Sequence, residues 1–194
     1  FENQLLRGNR TTKINAENFN AFQSFNYPPL ATAGIHIKYD LDRIKRADPR
    51  LPMHPHYAFD TNVIILTLFP GIQENIIRNA LSTPGLKAVI LKTYGSGNAP
   101  QKPWFIKLLT EVTQRGIVIV NISQCPTGTV EMARYETGIH LLDAGVISGY
   151  DATVECVLTK LMFLLGHDLT PQEIRNEMSR SLAGEITRPE MPTR

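Results

Sequence analysis

Long apolar runs are missing from this 194-residue sequence. The two most apolar stretches, Val63 to Phe69 and Ile117 to Ile122, have the length of strands and fall well short of the roughly 18 consecutive apolar residues that a spanning helix needs, so no membrane role is expected. Charge of one sign is missing too. The 20 basic and 18 acidic residues are scattered, with a formal net charge of +2 and no basic run or stripe, which argues against nucleic acid as a partner. Cysteine is scarce: Cys125 and Cys156 each sit in an apolar pattern, so two reduced, buried thiols and a reducing compartment are expected rather than a disulfide framework. Of the five histidines only His54 and His56 are close, and no carboxylate or cysteine stands near them at ligand spacing, so no metal site is expected. There is no G-x-S-x-G elbow, no P-loop and no repeat of solenoid period. No charged-then-apolar leader precedes Phe1, and Phe1 to Arg10 reads as the tail of a strand entering a loop, so the start is expected to be truncated.

What is present is an ordinary globular composition, 42% hydrophobic and 20% charged, enough to bury a proper core. Residues 1–37 alternate short apolar stretches with turn-formers, including a polar loop Arg10-Thr11-Thr12-Lys13 and a stiff Asn26-Tyr27-Pro28-Pro29 segment, and have too few apolar residues to fold alone. Residues 38–58 are charged and proline-bearing, the composition of a linker. From 59 to 194 the pattern becomes regular. A β-branched run at 62–69 leads through Pro70-Gly71 into a helical pattern. A strand at Ala88 to Leu91 leads through Gly95-Ser96-Gly97-Asn98 into a helix over Pro103 to Arg115 that Gly116 ends, and Ile117 to Ile122 forms a third strand. Helices are expected over Tyr135 to Ala144, Thr153 to Leu165 and Thr170 to Leu182, the last opened by a capping box at Thr170-Pro171-Gln172-Glu173. Strands alternating with helices predict an α/β fold: a small parallel sheet with helices on both faces, a flavodoxin-like or Rossmann-type three-layer domain, preceded by the tail of a larger N-terminal α/β domain. Ligands of such sheets sit beyond the C-terminal strand ends, which directs attention to the loops after Phe69, Leu91 and Ile122.

Two of these loops could carry chemistry. The glycine loop at 95–98 is not a dinucleotide fingerprint, because the third glycine of G-x-G-x-x-G falls on Pro100. It is open to two readings, a structural turn or a close backbone approach to a small ligand with Asn98 offering both a donor and an acceptor. Thr11, Thr12 and Lys13 likewise read either as a solvated loop or as an ammonium beside hydroxyls, which can lower a hydroxyl pKa or relay its proton when partly buried.

At these loops the sequence resembles a known family. Leu5-Leu6-Arg7-Gly8-Asn9-Arg10-Thr11-Thr12-Lys13, with Asn20-Ala21-Phe22-Gln23-Ser24 after it, closely resembles the L-asparaginase segment that supplies the active-site lysine. Thr93 to Pro100 looks like the family's second-domain glycine loop, and Gly116 to Cys125 with Tyr135-Glu136-Thr137-Gly138 looks like its type I, cytoplasmic branch. The resemblance runs nearly end to end. It implies an amidohydrolase that converts L-asparagine and water to L-aspartate and ammonia, with glutamine a weaker substrate, and without metal or organic cofactor. A threonine nucleophile would lie upstream of Phe1, with Lys13 in the supporting threonine-lysine-aspartate triad, so the 194-residue piece alone is expected to be inactive. The division it implies is 1–37 as the end of the N-terminal domain, 38–58 as linker and 59–194 as the C-terminal domain. Asn98, and with it Tyr135, would contact substrate across a subunit interface in a homodimer or homotetramer. Thr12, Lys92 and Cys125 would form a second, allosteric asparagine site. A catalytically inactive α/β module that binds amino acids or packs in an oligomer is the alternative.

Overall fold

The computed structural model describes residues 1–50, 52–134 and 136–188. The third strand expected from sequence is the clearest place to see why the chain folds as it does. In β7 (Ala88–Thr93) and β8 (Val118–Ser123), side chains alternate between two cores, as a pleat of period two requires. Val89, Leu91 and Ile119 point to one face, where they meet Ile77 and Leu81 of α1 (Glu74–Leu81), Phe105, Leu108, Leu109 and Val112 of α2 (Pro103–Gln114), and Leu141 of α3 (Glu136–Asp143). Ala88, Ile90, Val118, Val120 and Ile122 point to the other, against Val157, Leu161 and Leu164 of α4 (Val154–Leu165) and Ile174 and Met178 of α5 (Pro171–Met178). Both faces are covered, which is why the strands are apolar from Ala88 to Leu91 and from Val118 to Val120, with polar residues only toward their C-terminal ends. The sheet is completed by β6 (Val63–Thr67) and β9 (Ile147–Ser148); all neighbours are parallel and lie in chain order β6-β7-β8-β9. This is the three-layer α/β arrangement predicted above.

The helix ends follow their sequence signals. Thr170 and Glu173 form the reciprocal capping box of α5, and Gly116, at φ +88°, takes the left-handed turn after α2. Helix α5 stops at Met178, short of Leu182, because Ser179 and Arg180 close the last turn and the chain then departs.

The N-terminal piece is built differently. Strands β1 (Gln4–Leu5), β4 (Ala31–Ala33) and β5 (Ile37–Tyr39) form a small antiparallel sheet, and β2 (Thr12–Lys13) pairs with β3 (Phe22–Gln23) as a hairpin. The polar loop expected at Arg10 to Lys13 is thus a 3-10 turn (Gly8–Arg10) followed by a strand. Pairing of Thr12 with Gln23 and Lys13 with Phe22, extended by Ile14 N–H to the Ala21 carbonyl at 2.8 Å, supplies backbone partners that sequence pattern alone does not reveal. Between Asp40 and Asn62 no described residue is in a helix or strand. The later part of that segment, at Ala58 to Asp60, meets the C-terminal end of α4, where Gly166 is required because a Cβ there would lie 2.4 Å from the Ala58 carbonyl oxygen.

Candidate active site and a second small cavity

The C-terminal ends of β7 and β8 open into a cavity of about 170 Å³. Lys92 comes from the end of β7, Cys125 from the turn after β8, and Thr12 from the hairpin, so the three residues grouped from sequence line one cavity. Thr12 donates from its hydroxyl to the Glu155 carboxylate at 2.5 Å, in the first turn of α4. Lys92 is half-buried, and its ammonium makes no hydrogen bond or ion pair among the described residues. A free cation and a carboxylate therefore face the same small space. Asn26 closes one side, donating to the carbonyls of Asp151 (3.1 Å) and Pro126 (3.3 Å) and accepting from Gly128 N–H (2.8 Å). Tyr150, also on the wall, is held at φ +56°, a conformation unfavourable for a bulky side chain.

Cys125 is exposed, not buried as expected. It stands past the last buried strand residue, where its N–H bonds the Ser123 hydroxyl at 2.9 Å, and the apolar pattern preceding it ends before it. Cys156 is buried; burial, with the Glu185 carboxylate nearby, pushes its thiol up to about 11, so it stays protonated.

Lys13 does not line this cavity. Its side chain is exposed, and its ammonium makes no hydrogen bond or ion pair among the described residues. Behind it lies the polar joint that fixes the hairpin. Arg10 is buried and forms a two-toothed pair with Asp151, at 2.9 and 2.5 Å. Burial pushes the Asp151 carboxyl up, but the Arg10 guanidinium and the Thr187 N–H outweigh it and hold the carboxyl below its ordinary range.

Asn98 sits at the end of the glycine loop, bridged to Tyr94 by two backbone hydrogen bonds of 2.9 and 2.8 Å, and its side-chain carbonyl accepts from the Thr137 hydroxyl at 2.7 Å. The loop needs Gly97, at φ +114°, because a Cβ would come within 2.9 Å of Val130 and 3.2 Å of the Asn121 amide. Asn121 itself is fully buried, accepts from Thr93 Oγ1 at 2.7 Å and donates to the Gly97 carbonyl. Tyr135 lies outside the described residues. Sequence reading missed Arg10, Asp151, Glu155 and Asn121. Only Asn121 left a signal, a lone amide inside an otherwise apolar strand.

Comparison with known proteins now bears on this geometry. Residues 62–178 match the glutaminase/asparaginase C-terminal domain, and residues 1–45 match the asparaginase N-terminal domain. The chain belongs to the asparaginase family. Over 188 residues it is 47% identical to L-asparaginase 1 of Escherichia coli K12, covering 96% of this chain and 55% of that protein. Over 195 residues it is 40% identical to the 60 kDa lysophospholipase of Homo sapiens, covering 100% and 34%. The crystal structure of L-asparaginase I from Vibrio cholerae superposes with a TM-score of 0.90 at 42% identity, covering 97% of this chain and 56% of that one. The chain thus spans about half the length of that structure and of the bacterial relative. Lys13 and Thr12 fall in the N-terminal match and Lys92 and Cys125 in the C-terminal one, so the cavity is built across both parts of this asparaginase-family chain.

Proposed function

We propose that the full-length protein is an L-asparaginase that hydrolyses L-asparagine to L-aspartate and ammonia. A threonine hydroxyl from sequence N-terminal to these residues attacks the side-chain amide carbon, the amide nitrogen leaves as ammonia after protonation, and water then cleaves the acyl-enzyme to release aspartate. Lys13 belongs to the supporting triad: its ammonium, beside a second hydroxyl, favours loss of that hydroxyl's proton. The observation that carries this reading is the Lys13 ammonium, exposed and unpaired among the described residues on a strand that follows a buried arginine, in a chain similar over 96% of its length to an asparaginase. In this reading the chain divides into 1–37, a linker at 38–58 and 59–194, works in the cytoplasm and assembles as a homodimer or homotetramer in which Asn98, with Tyr135 beside it, serves the neighbouring subunit's site.

The test is ammonia release by the full-length protein and its variants. Lys13→Met lowers turnover about a hundredfold or more, with a smaller effect on asparagine binding. Asn98→Ala lowers it as well, and mixing Asn98→Ala with Lys13→Met subunits restores one good site per mixed dimer. Near-native turnover of Lys13→Met would return the lysine to a solvated strand end.

The cavity at Thr12, Lys92 and Cys125 supports a second asparagine site. Its lysine suits the carboxylate of an amino acid and Glu155 its ammonium, and Thr12 adjoins Lys13, a short path between the two sites. The saturation curve is then sigmoidal and becomes hyperbolic in Thr12→Ala or Cys125→Ala with the maximal rate largely kept. A hyperbolic curve unchanged by either substitution would remove the regulatory site.

A further inference from the structure

We infer that Arg10 is the positioning residue for Lys13: one guanidinium grips both sides of the lysine's hairpin and locks them to the parallel-sheet half and to the segment 182–187. The inference rests on the reading of Lys13 as a member of the catalytic triad.

Arg10 stands three residues before Lys13, at the end of the 3-10 turn that leads into β2, with its side chain 1% exposed. Nη1 donates to Asp151 Oδ1 (2.9 Å) and to the Glu185 carbonyl (2.7 Å). Nη2 donates to Asp151 Oδ2 (2.5 Å), to the Asn26 carbonyl (3.0 Å) and to the Thr187 hydroxyl (3.2 Å). Asn26 lies three residues beyond β3, the strand paired with β2, so the guanidinium holds the hairpin at its entry and at its exit. The partners on the far side are themselves fixed. Asp151 also accepts from Thr187 N–H (2.8 Å), and the Glu185 carboxylate accepts from Lys160 Nζ on α4 (2.7 Å) and from the N–H groups of Leu182 (2.9 Å) and Ala183 (2.6 Å). Arg7 and Asn9 add contacts to the Gly184 and Ala183 carbonyls. The segment 182–187 is a strap that joins the hairpin to α4, and it lies beyond the residues matched by the family's C-terminal domain.

A two-residue ladder is a weak determinant of register, and among the described residues the Lys13 ammonium makes no hydrogen bond or ion pair that would fix it. A buried ion pair, for its part, adds little net stability because desolvation offsets attraction. What this one supplies is geometry. The planar fork meets five acceptor atoms through the four N–H groups of Nη1 and Nη2, one hydrogen on Nη2 being shared, a reach that a lysine's single ammonium does not have. Small misplacements of a proton-relay group are costly in rate, so the hairpin's register bears directly on turnover.

The experiment compares four forms of the full-length protein: wild type, Arg10→Lys, Lys13→Met and the double variant, with kcat and KM for asparagine measured below each form's melting temperature and rates normalised to folded protein. Arg10→Lys keeps the charge and loses the fork. The expected result is a fall in kcat of about tenfold or more with KM changed less than about threefold, and a double variant no slower than Lys13→Met alone, since Arg10 acts through the lysine. A merely structural role would lower the rate by the same factor in both backgrounds. Equal factors, or Arg10→Lys turnover within about twofold of wild type beside an inactive Lys13→Met, would overturn the inference while leaving Lys13 in the triad. Near-native turnover of Lys13→Met would overturn both. Where Arg10→Lys does not fold, Asp151→Asn, which keeps the shape and weakens the pair, is measured in its place with the same pattern expected.

Discussion

The two regions of this chain are held by different forces. In residues 1–45 the only buried residues among those described are Arg10 and Ala31, while Leu5, Phe19, Ile35, Ile37 and Tyr39 are exposed. The parallel-sheet half contains both apolar cores. The sheet half is ordered by apolar burial, which is non-directional and tolerant; the N-terminal piece is ordered against it by charged and polar groups whose value lies in direction. The residue that matters most for the proposed chemistry, Lys13, stands in the polar-tied region, and the ligand-sized cavity lies along the line between the two.

The largest effect that tests this contrast is Phe105→Ala. Phe105 is fully buried between α2 and the sheet, and its removal from the full-length protein costs about 3–5 kcal/mol in denaturant unfolding. Leu5→Ala, at a half-exposed position, costs about 1 kcal/mol or less. A Leu5→Ala loss as large as that of Phe105→Ala would mean that the N-terminal piece has an apolar core of its own, and the comparison would break.

The same contrast explains what was legible in the sequence. Strands β7 and β8, the helices against them, the Thr170 capping box and the turn at Gly116 are written in local periodicity and cap chemistry, and their bounds in the structure fall within a few residues of those expected. The joint was not legible. Arg10 meets Asp151 across 141 positions, and nothing in either residue's neighbours distinguishes a buried pair from two solvated charges. The hairpin was hidden for a similar reason, since Thr12, Lys13, Phe22 and Gln23 carry no alternating pattern long enough to announce strands. Cys125 is exposed because the apolar run before it ends at Ile122, three positions earlier, and the strand gives way to a turn after Ser123.

Acid offers the next test. Burial pushes the Glu185 carboxyl up, but the Lys160 ammonium and the N–H groups of Leu182 and Ala183 outweigh it and hold the group down at about 2 against an ordinary 4.5. A depressed folded pKa gives stability that is complete above the unfolded value and is lost as pH falls from 4.5 toward 2, on the order of 3 kcal/mol in all. Because Glu185 belongs to the joint and not to the cores, hydrogen exchange in the N-terminal piece and the strap rises in that window before exchange in β7 and β8. Glu185→Gln removes the Glu185 share of the dependence and leaves that of Asp151, whose carboxyl is also held low by Arg10. Simultaneous opening of both regions would show that the joint and the cores form one cooperative unit.

Glycine substitutions give a smaller effect of the same kind. Gly97→Ala forces a Cβ to within 2.9 Å of Val130 at φ +114°, and about 1–3 kcal/mol is lost along with the placement of Asn98. Gly8→Ala in the N-terminal piece meets nothing within 4 Å and is close to neutral in thermal unfolding. A large loss at Gly8 would place a packed neighbour there.

The smallest effect reads the joint from inside. Cys125 is exposed and reacts with a thiol reagent in the native protein, while Cys156 is slow for two reasons. It is enclosed, and burial together with the Glu185 carboxylate keeps its thiol protonated up to about 11. Glu185→Gln acts on both reasons, since it removes the nearby negative charge and weakens the strap's hold on α4. Alkylation of Cys156 therefore speeds up by about a few-fold at pH 8, while that of Cys125 does not change. The pattern separates a local opening from general loosening, because a change in the sheet half as a whole would also expose residues of β7 and β8 to hydrogen exchange. An unchanged Cys156 rate would mean that the strap is not what encloses α4 at this point, and that the joint extends no further than Arg10 and Asp151.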